Sequence, residues 1–237
     1  DHWVGTGPFR LAKWDRGHEV ILEKNPTFRG DAFPAGMGLD VGKPMPFLDK
    51  LVFKVTKEEQ PAWLNFLKGE LDFSKIPKDN FSSAFANGMK VTEEMSKKGI
   101  RVERVDGGVF YYINFNVKDA VLKNKYLRQA ISSAIDRDTW VNLFFNGRGS
   151  KQVTAAPPGL PDRVKDAKIK YDFNVEAAKE LMKKAGYPDG KGLAPITFDM
   201  RGADSVNRQL GEFFTAQMTK IGVKLNVVYN TFPAFLE

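Results

Sequence analysis

Cysteine is absent from the 237 residues and histidine occurs only twice. The missing cysteine excludes disulfides, thiolate metal sites and a cysteine nucleophile, though it assigns no compartment. His2 and His18 cannot form a His-x-x-x-His metal pair, and His18 sits beside a hairpin turn, a poor place from which to build a Ser-His-Asp triad. No apolar run approaches the ~20 residues of a membrane span. There is no Gly-x-x-x-x-Gly-Lys-Ser/Thr phosphate loop. Gly5-Thr6-Gly7 begins like a dinucleotide loop, but Arg10 stands where the third glycine belongs and no strand precedes it. Glu93 and Glu94 are adjacent, so they project in different directions and make a poor acid–base pair. Together these absences predict a protein that is not an enzyme and carries neither cofactor nor metal.

What is present is an ordinary globular composition, with 42% hydrophobic and 27% charged residues. The net charge of +7 is uneven: residues 1–108 hold 17 Lys+Arg against 16 Asp+Glu, and residues 109–237 hold 19 against 13. The basic residues are scattered, and no basic run is interleaved with aromatics, so no nucleic-acid partner is expected. Pairs such as Lys183-Lys184 belong to a solvated helix face.

Periodicity and punctuation predict a mixed α/β order. Phe9–Trp14 and Glu19–Lys24 flank Arg16-Gly17 as a hairpin. Residues 28–47, rich in Gly and Pro, form a long loop. Leu51–Val55 is a strand. Glu58–Lys68 is a helix burying Trp63, Phe66 and Leu67 and stopped by Gly69. Leu71–Phe73 is a short buried strand, 77–99 polar helices and Ile100–Val105 a strand. Asp106-Gly107-Gly108 marks a boundary. Beyond it come a strand over Phe110–Asn116, helices over Asn124–Ala134 and Arg137–Phe145 with Asn146-Gly147 as a left-handed cap, and a loop over 156–173. A helix over 175–185 follows, capped by Asn174 and closed by Gly186. Ile196–Met200 is a strand, and the next helix, 205–221, places Leu210, Phe213, Phe214, Met218 and Ile221 on one side. The last strand is Val223–Tyr229.

Five motifs in fixed order carry a resemblance. They are Gly5-Thr6-Gly7-Pro8-Phe9 with Glu23-Lys24-Asn25-Pro26; Leu48-Asp49-Lys50-Leu51-Val52-Phe53 with Leu67-Lys68-Gly69-Glu70-Leu71-Asp72; Phe110 to Asn116; Leu127-Arg128-Gln129-Ala130-Ile131 with Ala134-Ile135-Asp136-Arg137; and Ala185-Gly186-Tyr187-Pro188 with Lys220-Ile221-Gly222-Val223. The chain resembles, over nearly its whole length, the family 5 extracytoplasmic solute-binding proteins of peptide and nickel ABC importers. The resemblance implies an α/β, periplasmic-binding-protein-like (type II) fold of mixed sheets with flanking helices. It implies an incomplete two-lobe arrangement, with 1–108 in the first lobe and 109–237 in the second. It further implies an internal part of a longer protein, whose other segments hold much of the pocket. The expected partners are a peptide or similar small solute and an ABC permease in the membrane, in a periplasmic or extracytoplasmic location. A ligand-sensing module of the same fold, or a binder of a nickel chelate or oligosaccharide, stays open. Exposed sheet edges predict self-association of residues 1–237 alone.

Alternation along 110–116 puts Phe110, Tyr112, Asn114 and Asn116 on one face and Tyr111, Ile113 and Phe115 on the other. The first face offers rings and amides, which suits a peptide. The resemblance places cleft contacts at Tyr112 and Asn114; packing between helices is the alternative for Tyr112, and a loop-pinning role fits Asn116. Lys75 follows a segment that approaches the cleft in the family and is either a partner for a ligand carboxylate or a solvated cation. Asn207 opens a helix at a position that faces the cleft in some members. Arg128, Asp136 and Arg137 fit helix caps and ion pairs.

Overall fold

The structure, a computed structural model, describes residues 4–34, 42–86, 90–103, 109–152, 154 and 168–236. Its backbone contacts form two units, Asp1–Ser74 and Lys75–Glu237. The lobe boundary expected near residue 108 falls outside the described residues.

In the first unit, β1 (Phe9–Asp15), β2 (Glu19–Lys24) and β3 (Lys50–Lys54) form an antiparallel sheet with β2 in the centre. Register fixes which residues share a face, because directly opposed side chains project together. Leu22 faces both Leu11 and Leu51, and Val20 faces Phe53, giving one apolar face. The other face is charged, with Arg10 against Glu23 at 2.7 Å and Lys13 against Glu19 at 2.9 Å. Buried Asn25 ties the strand end to the glycine-rich start of the chain. Its Nδ2 donates to Gly7 O at 2.9 Å, and its Oδ1 accepts from Thr27 N and Thr27 Oγ1. Helix α1 (Glu59–Leu67) buries Trp63 and ends where Gly69, at φ 79°, turns its N–H back to Phe66 O.

The second unit opens with a 3-10 turn (Lys78–Asn80), α2 (Phe81–Ala84), a small hairpin of β4 (Phe85–Ala86) and β5 (Lys90–Val91), and α3 (Glu93–Lys97). Its core lies farther on. Helix α4 (Lys125–Ala134) presents Leu127, Ala130, Ile131 and Ala134 at helical spacing, all buried. These meet Ala178 and Met182 of α6 (Val175–Lys184) and Phe214 and Met218 of α7 (Ser205–Thr219). Two asparagines hold α4 and α6 antiparallel. Asn124 Nδ2 donates to Ala185 O at 2.9 Å, and Asn174, which caps α6 by accepting from Ala177 N, donates its own N–H to Ser133 O at 2.8 Å. Against this layer lie β6 (Ile196–Met200) and β7 (Leu225–Tyr229), paired in parallel, followed by α8 (Phe232–Phe235). Gly211 lets α7 approach β7, since a Cβ there would strike the Tyr229 hydroxyl. A second close approach joins the 3-10 turn Pro188–Gly190 to the turn before β7: a Cβ on Gly190 would run into Gly222 O, and one on Gly222 into Asp189 O.

Helix α5 (Arg137–Phe145) starts at Asp136 and ends at Asn146 and Gly147, both left-handed, at φ 50° and 72°. Burial pushes the Asp136 carboxyl up, but hydrogen bonds from Thr139 N (3.0 Å) and Thr139 Oγ1 (2.7 Å) outweigh it and leave the pKa below the ordinary 3.8. A depressed folded value stabilises above the unfolded pKa, and that contribution is lost as pH falls through the folded value. Asparagine caps as well as aspartate. Asp136→Asn is therefore expected to leave stability near neutrality almost unchanged and to flatten the acid limb below about pH 4, read from urea midpoints against pH. An acid limb as steep as that of the unaltered protein would assign the pH dependence to other carboxylates.

Several expected elements differ. Phe110–Asn116 pairs with no described strand, so it is not a ladder strand; its burial alternates over 112–116, with Ile113 and Phe115 packed on the core and Tyr112, Asn114 and Asn116 exposed, but Tyr111, expected on the core face, is 42% exposed and Phe110 is half-buried. Leu71–Phe73 is irregular and Phe73 is 80% exposed, because nothing pairs with that stretch after the Gly69 turn. Residues 100–103 form no strand, and 104–105 lie outside the described residues, as do 156–167 of the loop over 156–173. The helical region expected over 77–99 is interrupted by the β4–β5 hairpin. Within the 28–47 loop, Phe33 N bonds Lys43 O at 2.9 Å and the Phe33 and Phe47 rings lie 5.7 Å apart, while 35–41 lie outside the described residues.

Candidate functional site

Segment 110–116 joins the core to the surface, because over 112–116 alternate side chains go to opposite sides. On its outer row the Phe110 and Tyr112 rings stack at 5.5 Å with 17° between their planes, and Tyr112 is 71% exposed. Asn114 follows on the same row, exposed, and lines an apolar cavity of about 60 Å³ that opens to solvent. Asn116 accepts from Lys118 N through Oδ1 at 3.1 Å, the loop-pinning role expected of it. An open aromatic surface beside free amide groups can stack on a planar or apolar group and exchange hydrogen bonds with a backbone-like ligand. Among the described residues no group of His, Cys, Asp or Glu is placed to hold a metal ion.

The other two candidates have different surroundings. Asn207 is tied into the cap of α7: Asp204 Oδ1 accepts its N–H at 2.9 Å and Asp204 Oδ2 its Nδ2 at 2.6 Å. Lys75 is exposed on irregular chain ahead of the 3-10 turn at Lys78–Asn80. The structure thus unites Tyr112 and Asn114 on one row, while Asn207 and Lys75 stand on separate elements.

Sequence reasoning missed the neighbours of that row. Arg201, in the β6–α7 loop, lies over the Tyr111 ring at 5.3 Å, and Tyr111 in turn packs against Phe145 at 5.3 Å and Trp140 at 6.5 Å. This brings the loop that precedes α7 and Asn207 up to segment 110–116. Only tertiary packing reveals it, since 90 residues separate Arg201 from Tyr111.

The charged positions of the helix motif are structural. Arg128 Nη1 donates to Leu122 O at 2.6 Å, and Asp136 caps α5. The half-buried Arg137 guanidinium donates to Ser132 O (3.1 Å), Tyr171 O (3.3 Å) and Ser132 Oγ (2.9 Å). His18, in the β1–β2 turn, accepts a backbone bond from Val55 at 2.7 Å, and His2 lies outside the described residues.

Known proteins resemble this chain in sequence and fold. Oligopeptide-binding protein AppA of Bacillus subtilis is 23% identical over 245 residues, covering 99% of this chain and 41% of its own length. Heme-binding protein A of Haemophilus influenzae is 26% identical over 234 residues, covering 95% and 37%. The periplasmic binding protein DppA of Helicobacter pylori, solved with the peptide STSA, superposes with a TM-score of 0.75 at 22% identity over 98% of this chain and 40% of that one, a likeness of fold. The chain thus spans about 40% of the length of the relatives it matches. The model of the bacterial extracellular solute-binding proteins, family 5 middle region, matches residues 1–236. With the motifs in order, the mixed α/β fold in place and the match running almost end to end, this chain belongs to the family 5 bacterial extracellular solute-binding proteins, a family of binding proteins rather than enzymes.

Proposed function

We propose that the full-length protein is the solute-binding component of an ABC importer, which captures peptides or similar small solutes between two lobes outside the cytoplasm and delivers them to a membrane permease. The carrying observation is the outer row of segment 110–116, where stacked Phe110 and Tyr112 stand beside Asn114 while Ile113 and Phe115 anchor the same stretch in the core. A peptide asks for that mixture: hydrogen bonds for its backbone and apolar surface for its side chains. Tyr112 and Asn114 are assigned as ligand contacts, with Lys75 and Asn207 as further contacts from other elements. The lobe boundary is placed near residue 108, and closure about it would sequester the solute.

The test uses the full-length protein purified under native conditions, then denatured, with released small molecules identified by mass spectrometry. Peptides are the expected result. A heme, sugar or metal chelate instead would keep the family and overturn the peptide class. With a released peptide in hand, Tyr112→Ala is expected to weaken binding about fivefold, the worth of one aromatic contact, and Tyr112→Phe to leave it nearly intact. Equal calorimetric affinities for Tyr112→Ala and the unaltered protein would remove Tyr112 from the site.

A further inference from the structure

We infer that the 3-10 turn at Lys78–Asn80, with the start of α2, and the C-terminal end of α5 form a latch between the two lobes, which holds them together before any solute arrives. The inference rests on the lobe boundary proposed near residue 108: on that reading residues 75–103 belong to the first lobe and α5 to the second. Yet the backbone contacts group the chain from Lys75 onward with the helices of the second lobe. Side-chain contacts join the two in a single patch. Asn146 Nδ2 donates to Lys78 O at 3.1 Å. The Lys78 ammonium lies 5.9 Å from the centre of the Phe144 ring, and the Arg148 guanidinium lies 4.6 Å from the centre of the Phe81 ring. Each side therefore lays a cation over an aromatic ring of the other.

The patch has the character of a reversible interface and not of a core. Phe81, Phe144 and Asn146 are half-buried and Arg148 is exposed, and none of them belongs to the buried cluster of α4, α6 and α7. Phe144 meets Phe213 of α7 at 5.8 Å, which fixes the α5 side of the patch to its own lobe. A hydrogen bond or a cation–π contact at such a site shifts an equilibrium about two- to fivefold, a weight suited to surfaces that part and meet again. The residue at its centre is spent on the crossing. Asn146 is the left-handed cap of α5, at φ 50°, a position that glycine fills at least as well. The helix thus needs the backbone angle and not the amide, and the amide goes to Lys78 O. The patch is formed without Tyr112 or Asn114, so it acts on affinity by setting how often the lobes are closed.

Spin labels on Ser82→Cys and Asn142→Cys, two exposed positions beside the patch, read its opening as a distance distribution in the ligand-free full-length protein. Two populations are expected, with the short one dominant. Asn146→Gly keeps the left-handed cap and removes the crossing hydrogen bond, and is expected to lower the short-to-long ratio about fivefold. Phe81→Leu keeps apolar bulk but removes the ring under Arg148, and is expected to lower the ratio about threefold. A single short distance, unmoved in both variants, would show that residues 75–103 are fixed to the second lobe, and would overturn the proposed boundary together with the latch. Two populations whose ratio ignores both variants, or a long distance dominant in the unaltered protein, would leave that boundary standing and overturn the latch alone.

Discussion

Gly222→Ala is expected to destabilise the protein by about 4 kcal/mol, at the upper end of single substitutions. Two penalties combine there. The residue sits at φ 76°, where an L side chain meets its own backbone, and a new Cβ would also run into the carbonyl of Asp189. Backbone on both sides of the contact leaves no flexible side chain to move aside. Gly192→Ala separates the two terms, because Gly192 has nearly the same φ, 77°, but nothing within 4 Å of a Cβ. It is expected to cost about 1–2 kcal/mol, the left-handed penalty alone. Urea midpoints for both variants, at constant m, give the comparison. Equal losses would show that the Gly190–Gly222 approach relaxes freely.

Arg137→Ala is expected to cost about 3 kcal/mol, since it strips the donor from part-buried carbonyls that have no other described partner. The guanidinium bridges the end of α4, through Ser132 O and Ser132 Oγ, and the segment before α6, through Tyr171 O. Burial lowers its pKa and the nearby Asp172 raises it in part, but an arginine stays charged at any pH of interest. Arg137→Lys keeps the charge without the planar fork, so it is expected to recover less than half of the loss. Full recovery by lysine would reduce the residue's role to its charge.

The capped helices were legible in the sequence because their signals are local. Asn124, Asp136, Asn174 and Asp204 each accept a backbone hydrogen bond within their own first turn, so no distant residue has to be known. The β1–β2 hairpin was legible for the same reason. Pairing is not local: segment 110–116 has the composition of a strand, and the alternation holds over 112–116 though not at Phe110 and Tyr111, but a ladder needs a partner edge that no pattern within the segment specifies. Leu71–Phe73 failed likewise, as three apolar-rich residues after a glycine turn do not specify a neighbour. Glycine signals conveyed backbone angle and not proximity. Gly69 and Gly186 read as helix stops, whereas the close approach of Gly190 and Gly222 follows only from tertiary packing. In the candidate site, alternation put Tyr112 and Asn114 on one row and the resemblance implied the cleft there, whereas Arg201 was missed because its contact with Tyr111 depends on where the β6–α7 loop comes to rest.

The two units are held together by different kinds of force. In the first, Pro46 and Trp63 are the buried apolar side chains among the described residues, and a three-stranded ladder with one half-buried apolar face, flanked by surface ion pairs, makes up the remainder. In the second, a continuous cluster from α4, α6 and α7 is sealed from water. The heat-capacity change of unfolding follows buried apolar area, so the curvature of stability with temperature resides mainly in the second unit. Exposed ion pairs weaken within a Debye length as electrolyte is added. Exposed pairs such as Lys97–Glu93 and Lys183–Glu180 lie in the second unit as well, so salt acts on both, and temperature is the variable that separates one end of the chain from the other.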